Sequence, residues 1–191
     1  MVQCQQMFSY VVDHDYGFAP NPENGLCSLA RCKFGSPGKA NLVEKARVGD
    51  WILGTIGKRN SQGNSGVLIG GLVYAMKVTE KILLEEYVEK YPSRRDAIFR
   101  NGCDQPEFGG RYALLSTVYF YFGCEAISLD ELPQYDAHPL FKKGPGYRRD
   151  FDESYVQKLE KWLLANYQIG KLGEPCLAIS GHETAVTCPT C

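Results

Sequence analysis

The sequence predicts a single α+β domain built on a curved, mainly antiparallel β-sheet or barrel with flanking helices. Three observations carry this. Apolar, β-rich runs at Met7–Val12, Trp51–Leu53 and Leu72–Val78 read as strands. The aromatic stretch Arg111–Phe122, with Tyr112, Tyr119, Phe120, Tyr121 and Phe122, fits one or two more in the wall of the sheet. Two segments, near 83–90 and 152–167, instead repeat apolar residues at helical spacing. The 191 residues suit one domain, with a core over about 7–167 and a C-terminal extension over 168–191. A hydrophobic fraction of 44% against 23% charged excludes wholesale disorder.

In chain order, Met7–Val12 is the first strand, and it runs into Asp13-His14-Asp15-Tyr16-Gly17-Phe18-Ala19-Pro20-Asn21-Pro22. The two prolines restrict that segment, so an ordered loop is expected. Leu26–Phe34 suits a short strand, and Gly35–Gly38 breaks it. Leu42, Val43 and Ala46 give a short amphipathic helical turn that ends at the tight turn Val48-Gly49-Asp50. Trp51–Leu53 is a strand with Leu72–Val78 as its returning partner, and residues 57–71 between them hold five glycines in a long polar loop. Leu83, Leu84, Tyr87 and Val88 mark a helix that Pro92 stops, and an exposed loop containing Arg94 and Arg95 is expected over 92–110. In the last helix Asp150 reads as N-cap with Glu153 completing a capping box, and Val156, Leu159, Trp162 and Leu163 form the buried stripe. Beyond Tyr167 periodicity fades, leaving a weakly structured tail or a last strand near Leu177–Ile179.

A helix, a Val-Gly-Asp turn, a strand and a returning strand resemble the build of PUA-like domains, including the EVE and ASCH types. That resemblance implies a barrel in which the first strand carries the chain past a pocket. It would place Gly54 and Thr55 on the pocket floor.

A net charge of −1 excludes a large non-specific nucleic-acid surface and leaves room for a local basic patch. No secretory signal is visible, and no apolar run is long enough for a bilayer, so a cytoplasmic protein without membrane contact is expected. The eight cysteines then read as reduced thiols. A zinc site would have to combine Cys188 and Cys191 with a pair such as Cys27 and Cys32; free thiols are preferred, with no metal and no cofactor.

The densest packet of functional side chains is Asp13, His14, Asp15, Tyr16 and Phe18. Carboxylates flanking an imidazole can orient a general base, bind a metal, or hold a base edge by hydrogen bonds. The plain alternative is an Asx-type turn with His14 packed or capping. Tyr119 and Tyr121 read either as core or as rings that stack on a planar ligand. Lys142, Lys143, Arg148 and Arg149 around Gly144-Pro145-Gly146 suit phosphate contacts or a solvated loop face.

Four segments, Phe8-Ser-Tyr-Val-Val-Asp-His-Asp-Tyr-Gly-Phe-Ala-Pro-Asn-Pro22, Val48-Gly-Asp-Trp-Ile-Leu-Gly-Thr55, Leu72-Val-Tyr-Ala-Met-Lys-Val78 and Gly144-Pro-Gly-Tyr-Arg-Arg-Asp-Phe151, together resemble the second family of nucleotide-modification-associated domains. The likeness covers about residues 7–165. It implies a setting in phages and bacterial mobile elements, beside enzymes that hypermodify DNA bases, and so a link to DNA modification or to phage–host defence. It carries no catalytic assignment.

The leading expectation is a binding module for a modified nucleobase or nucleotide. Asp13, His14, Asp15 and Tyr16 would read polar edges, and Phe18 or a ring from 119–122 would stack. Lys58, Arg59, Arg148 and Arg149 would meet phosphates, and duplex DNA would present the base by flipping. An enzyme with His14 as acid–base and Asp13 or Asp15 orienting it is the alternative, although no Walker loop, deaminase motif or nucleophile signature is present. A sponge or sensor for a signalling nucleotide would need the same pocket without a nucleic-acid groove. Nothing in the sequence sets an oligomeric state.

Overall fold

The computed structural model describes residues 4–30, 41–58, 68–94, 111–137, 139–140 and 146–177. Nine strands form two sheets among these residues. The larger has the order β8-β1-β3-β4-β7-β9, with β1 at Met7–Val12, β3 at Trp51–Ile56, β4 at Leu72–Lys77, β7 at Val118–Tyr121, β8 at Tyr147–Arg148 and β9 at Gly170–Lys171. The smaller has the order β2-β6-β5, from Cys27–Leu29, Tyr112–Ser116 and Glu80–Leu83. Three helices accompany them: α1 at Leu42–Lys45, α2 at Leu84–Lys90 and α3 at Glu153–Asn166.

All six residues of β3 are buried, which accounts for its unbroken apolar reading rather than an alternating one. The strand pairs in parallel with β1 and antiparallel with β4. One face packs Trp51, Leu53, Ala75 and Phe120 beneath Tyr155, Val156, Leu159 and Leu163 of α3. On the other face Ile52, Ile56, Met76 and Tyr119 meet Cys27 and Leu29 of β2 and Leu42 and Val43 of α1. The turn before β3 forms as expected: Gly49 takes φ +96°, and the Asp50 carboxylate accepts from Gln6 N and Arg47 N, each at 2.9 Å.

The aromatic stretch makes two strands that lie in different sheets. β4 continues into β5 and β6 into β7, and the antiparallel register runs through without a slip: Lys77 pairs with Val118, and Glu80 with Leu115 three residues further along each chain. One long hairpin is therefore creased at residues 78–79 and 116–117. Polar side chains bridge the crease, with Ser116 Oγ accepting from Val118 N at 3.1 Å and Thr79 Oγ1 accepting from Thr117 N at 3.2 Å.

Five of the seven strand pairings are antiparallel, in keeping with a mainly antiparallel fold. The closed barrel is corrected: the described strands form two open sheets. The crease is the physical reason, because it carries the hairpin out of the large sheet, whose edges end in the two-residue strands β8 and β9. A second correction concerns α3. Its N-cap is Asp152, whereas Asp150 pairs with Arg148 at 3.4 Å and Glu153 accepts from Cys4 Sγ and Gln5 N.

Among the described residues no helix is long and apolar enough to cross a membrane. Cys4, Cys27, Cys124 and Cys176 are free thiols, and Cys27 is buried against Met76. Cys32, Cys188, Cys191, Arg59, Arg95, Lys142, Lys143 and the expected strand beyond Leu177 lie outside the described residues.

Glu160 of α3 ties the helix to the sheet. Its carboxylate accepts from Lys77 Nζ at 2.6 Å, Gln5 Nε2 at 3.2 Å and Trp51 Nε1 at 3.3 Å. Partial burial works to raise its pKa, but these three donors outweigh that and hold it below the ordinary carboxylate value. Its stabilisation is therefore present above the unfolded pKa and lost as pH falls through the folded one. Glu160→Gln is expected to cost about 1–2 kcal/mol at pH 7 in urea denaturation, with the deficit closing below about pH 4.

Candidate functional site

β1, β3, β7 and β9 all point the same way, so their carboxyl ends share one end of the large sheet. The segment after β1 crosses this end, and two tyrosines of β7 pin it from beneath. Tyr121 donates to the Asp15 carboxylate, with its hydroxyl 2.7 Å from Oδ1 and 2.9 Å from Oδ2. Tyr119 donates to Pro22 O at 3.0 Å. Asp15 is 1% exposed and also accepts from Gly17 N and Cys176 N. Desolvation pushes its pKa up, although these hydrogen bonds pull the other way. Burial, then the neighbouring Asp15 charge, pushes the Tyr121 phenol well above its ordinary range.

Residues 170–177 close over the same end. Leu177 N donates to Asp15 O, Cys124 N to Glu174 O, and Leu172 N to Tyr121 O. Gly123 sits at φ +56° with Glu174 O so close that a Cβ has no room there.

Between this strap, the segment 16–24 and the turn after α2 lies an open cleft of about 540 Å³. Tyr16 and Asn21 form one wall, Lys171, Glu174 and Pro175 another, and Ser93 and Arg94 the third. Arg94 is 6% exposed, and it shapes that wall from inside. Its guanidinium donates to Asn21 O, Glu23 O and Leu26 O at 2.7–2.9 Å and to the Tyr87 hydroxyl at 3.0 Å. The carbonyls of the 21–28 turn thus converge on one buried cation. The expected exposed loop at 92–110 is corrected at this residue, because the turn offers acceptors that solvent would otherwise have to satisfy.

Tyr16 lines the cleft, and its ring lies nearly parallel to that of His14, at 8° with centroids 6.1 Å apart; both residues are half-buried. Asp13 is exposed, its Oδ1 set against Gly57 at the end of β3, with Lys58 next along the chain. Phe18 is half-buried within the crossing segment. Gly54 and Thr55 are buried mid-sheet: the Tyr74 ring and Val12 fill the space over Gly54, and Thr55 Oγ1 donates to Tyr10 O at 3.2 Å. Arg148 and Arg149 belong to the β8 edge, five strand positions from β9, or about 24 Å at ordinary strand spacing. Arg148 there donates to Pro139 O at 2.7 Å and pairs with Asp150.

The structure therefore brings Asp13, His14, Asp15, Tyr16, Lys58, Tyr119 and Tyr121 to one sheet end, while Arg148 sits beside β1 opposite Ser9, four residues back along that strand from Asp13. Sequence reasoning missed Arg94, Lys171 and Glu174. The Asn24-Gly25 pair signals the turn beside them, but no local pattern joins residues 94 and 171 to it. Among the described residues no group of three or more His, Cys, Asp or Glu side chains is placed to hold a metal ion.

The fold and cleft define an α+β domain with two open sheets and a polar, open recess at one sheet end. The family model described as nucleotide modification associated domain 2 matches residues 4–95 and 88–182, and the chain belongs to that family. Membership links it to nucleotide modification. Nothing matches among curated proteins or among solved structures.

Tyr121→Phe strips Asp15 of its shortest donor and is expected to cost about 1–3 kcal/mol by chemical denaturation. The raised pKa of Asp15 means that its contribution is full below the unfolded value and is lost as pH rises through the folded one. Between pH 4 and 7 the Tm of wild type should accordingly fall relative to that of Asp15→Asn. Arg94→Met should cost about 1–3 kcal/mol for each buried carbonyl left unpaired, and it should speed hydrogen exchange in the 21–28 turn.

Proposed function

We propose that the protein is a binding module for a modified nucleobase or nucleotide, with the cleft at the carboxyl end of the large sheet as its pocket. The observation that carries this reading is the Tyr16 ring, backed by the nearly parallel ring of His14, in the lining of an open recess of about 540 Å³. A planar base can extend that stack, while Asn24 and Ser93 offer neutral polar groups to its edge. Asp15, Tyr119 and Tyr121 act beneath it by holding the crossing segment in shape. Lys58 is a further cation at the same sheet end, and Arg148 and Arg149 take part only when the ligand is an oligonucleotide long enough to cross the sheet. The family's association with nucleotide modification supports this choice of ligand. Phage or mobile-element DNA is the setting that fits it, with a flipped base as the form in which duplex would present the ligand. The PUA-like resemblance belongs to the same proposal with one change: the floor it implies at Gly54 is filled by Tyr74 and Val12, so the pocket lies at the sheet end instead.

The enzyme alternative is kept for one observation: the half-buried His14 follows the exposed Asp13 in the chain and packs its ring parallel to that of Tyr16, which lines the cleft. Calorimetric titration with modified and unmodified oligonucleotides and free nucleosides, with product analysis of the same mixtures, separates the two. For a binding module, Tyr16→Ala should weaken affinity roughly ten- to hundred-fold, the equivalent of about 1–3 kcal/mol of stacking, and His14→Ala by a similar factor. A ligand chemically changed by wild type but not by His14→Ala would replace this reading with the enzymatic one. Arg149→Ala should weaken oligonucleotide binding and leave nucleoside binding untouched.

A further inference from the structure

The cleft's charges are unevenly presented. Its cations are withdrawn: Arg94 spends Nε, NH1 and NH2 on inward acceptors, and the Lys171 ammonium lies between Glu174 Oε2 at 2.7 Å and Glu23 Oε1 at 3.1 Å. Side-chain exposure is 26% for Lys171 but 79% for Glu174 and 49% for Glu23. One lysine shared by two glutamates leaves that triad with a net charge of −1, and its carboxylates face the opening. A phosphate entering here would meet the exposed Glu174 and Glu23 carboxylates with only neutral donors such as Asn24 to offset them, in a recess where partial exclusion of water strengthens the repulsion. An ammonium group would meet two acceptors already converging on one nitrogen, with the Tyr16 ring alongside as a further favourable surface for a cation.

We infer that the cleft selects a nucleobase bearing a protonated amino substituent and leaves the nucleotide's phosphate outside, a reading that rests on the cleft being the ligand site proposed above. Selection works by charge. The neutral groups Asn24 and Ser93 meet the base edge, while Glu174 and Glu23 discriminate between an aminated substituent and a neutral one of the same size. Lys171 keeps the two carboxylates from repelling each other when the cleft is empty.

The test uses the full chain and four probes: 5-aminomethyl-2′-deoxyuridine, its 5-hydroxymethyl counterpart, and the 5′-monophosphate of each. The aminomethyl nucleoside is expected to bind roughly ten- to hundred-fold more tightly than the hydroxymethyl one, the range for a hydrogen bond to a charged group. Adding the phosphate should not tighten either probe. Glu174→Gln, at a side chain exposed enough to leave the Tm unchanged, should abolish the preference while hydroxymethyl binding persists; Glu23→Gln serves as the second variant. Equal affinity for the two nucleosides, or tighter binding of the monophosphates, overturns the inference and leaves the base-binding reading standing. Binding that survives Tyr16→Ala unchanged but keeps the amino preference removes the stacking pocket and leaves only charge selection. Failure of every nucleoside and oligonucleotide to bind wild type overturns both.

Discussion

The carboxylate of Asp15 lies where three parts of the chain meet: the segment after β1, the end of β7, and the strap at 170–177. A charge buried that deeply is costly unless donors surround it. Here they come from each part, as Tyr121 Oη, Gly17 N and Cys176 N. None of the three segments satisfies the carboxylate alone, so it ties the crossing segment and the strap to β7, which β4 already holds in the sheet. Both long walls of the cleft hang from this point, because Tyr16 precedes Gly17 in the chain and Glu174 precedes Cys176.

The second determinant is the creased hairpin. By carrying one antiparallel register across two sheets, it sets β2 and the 21–28 turn against β6 and delivers α2 to the far end of the small sheet. Arg94, just beyond α2, then reaches the carbonyls of that turn. The cleft is thus a by-product of two long-range closures, one at Asp15 and one at Arg94. Its third wall belongs to the small sheet's side of the molecule, and its other two to the large sheet.

This division also orders the polar chemistry. Groups at the carboxyl ends of the parallel strands face a recess and are held by backbone and tyrosine hydrogen bonds. Arg148, on the edge strand β8 about 24 Å from β9, is held instead by Pro139 O and Asp150.

The sequence by itself determined what depends on neighbours in the chain. The strands β1, β3 and β4, the Gly49-Asp50 turn, and the stripe Val156, Leu159 and Leu163 all follow from periodicity and turn chemistry acting over a few residues. It also marked the Asp13–Tyr16 segment as chemically dense, and of these residues Tyr16 lines the cleft. Only the tertiary structure decided that Asp15 would be buried while Asp13 stayed exposed, since that turns on Tyr121, 106 residues away. It alone converted Arg94 from a loop residue into a buried plug, and it alone set Lys171 between Glu23 and Glu174. Each of these contacts joins groups with no shared local pattern. Burial and charge pairing act through space, so no window along the chain could have placed them.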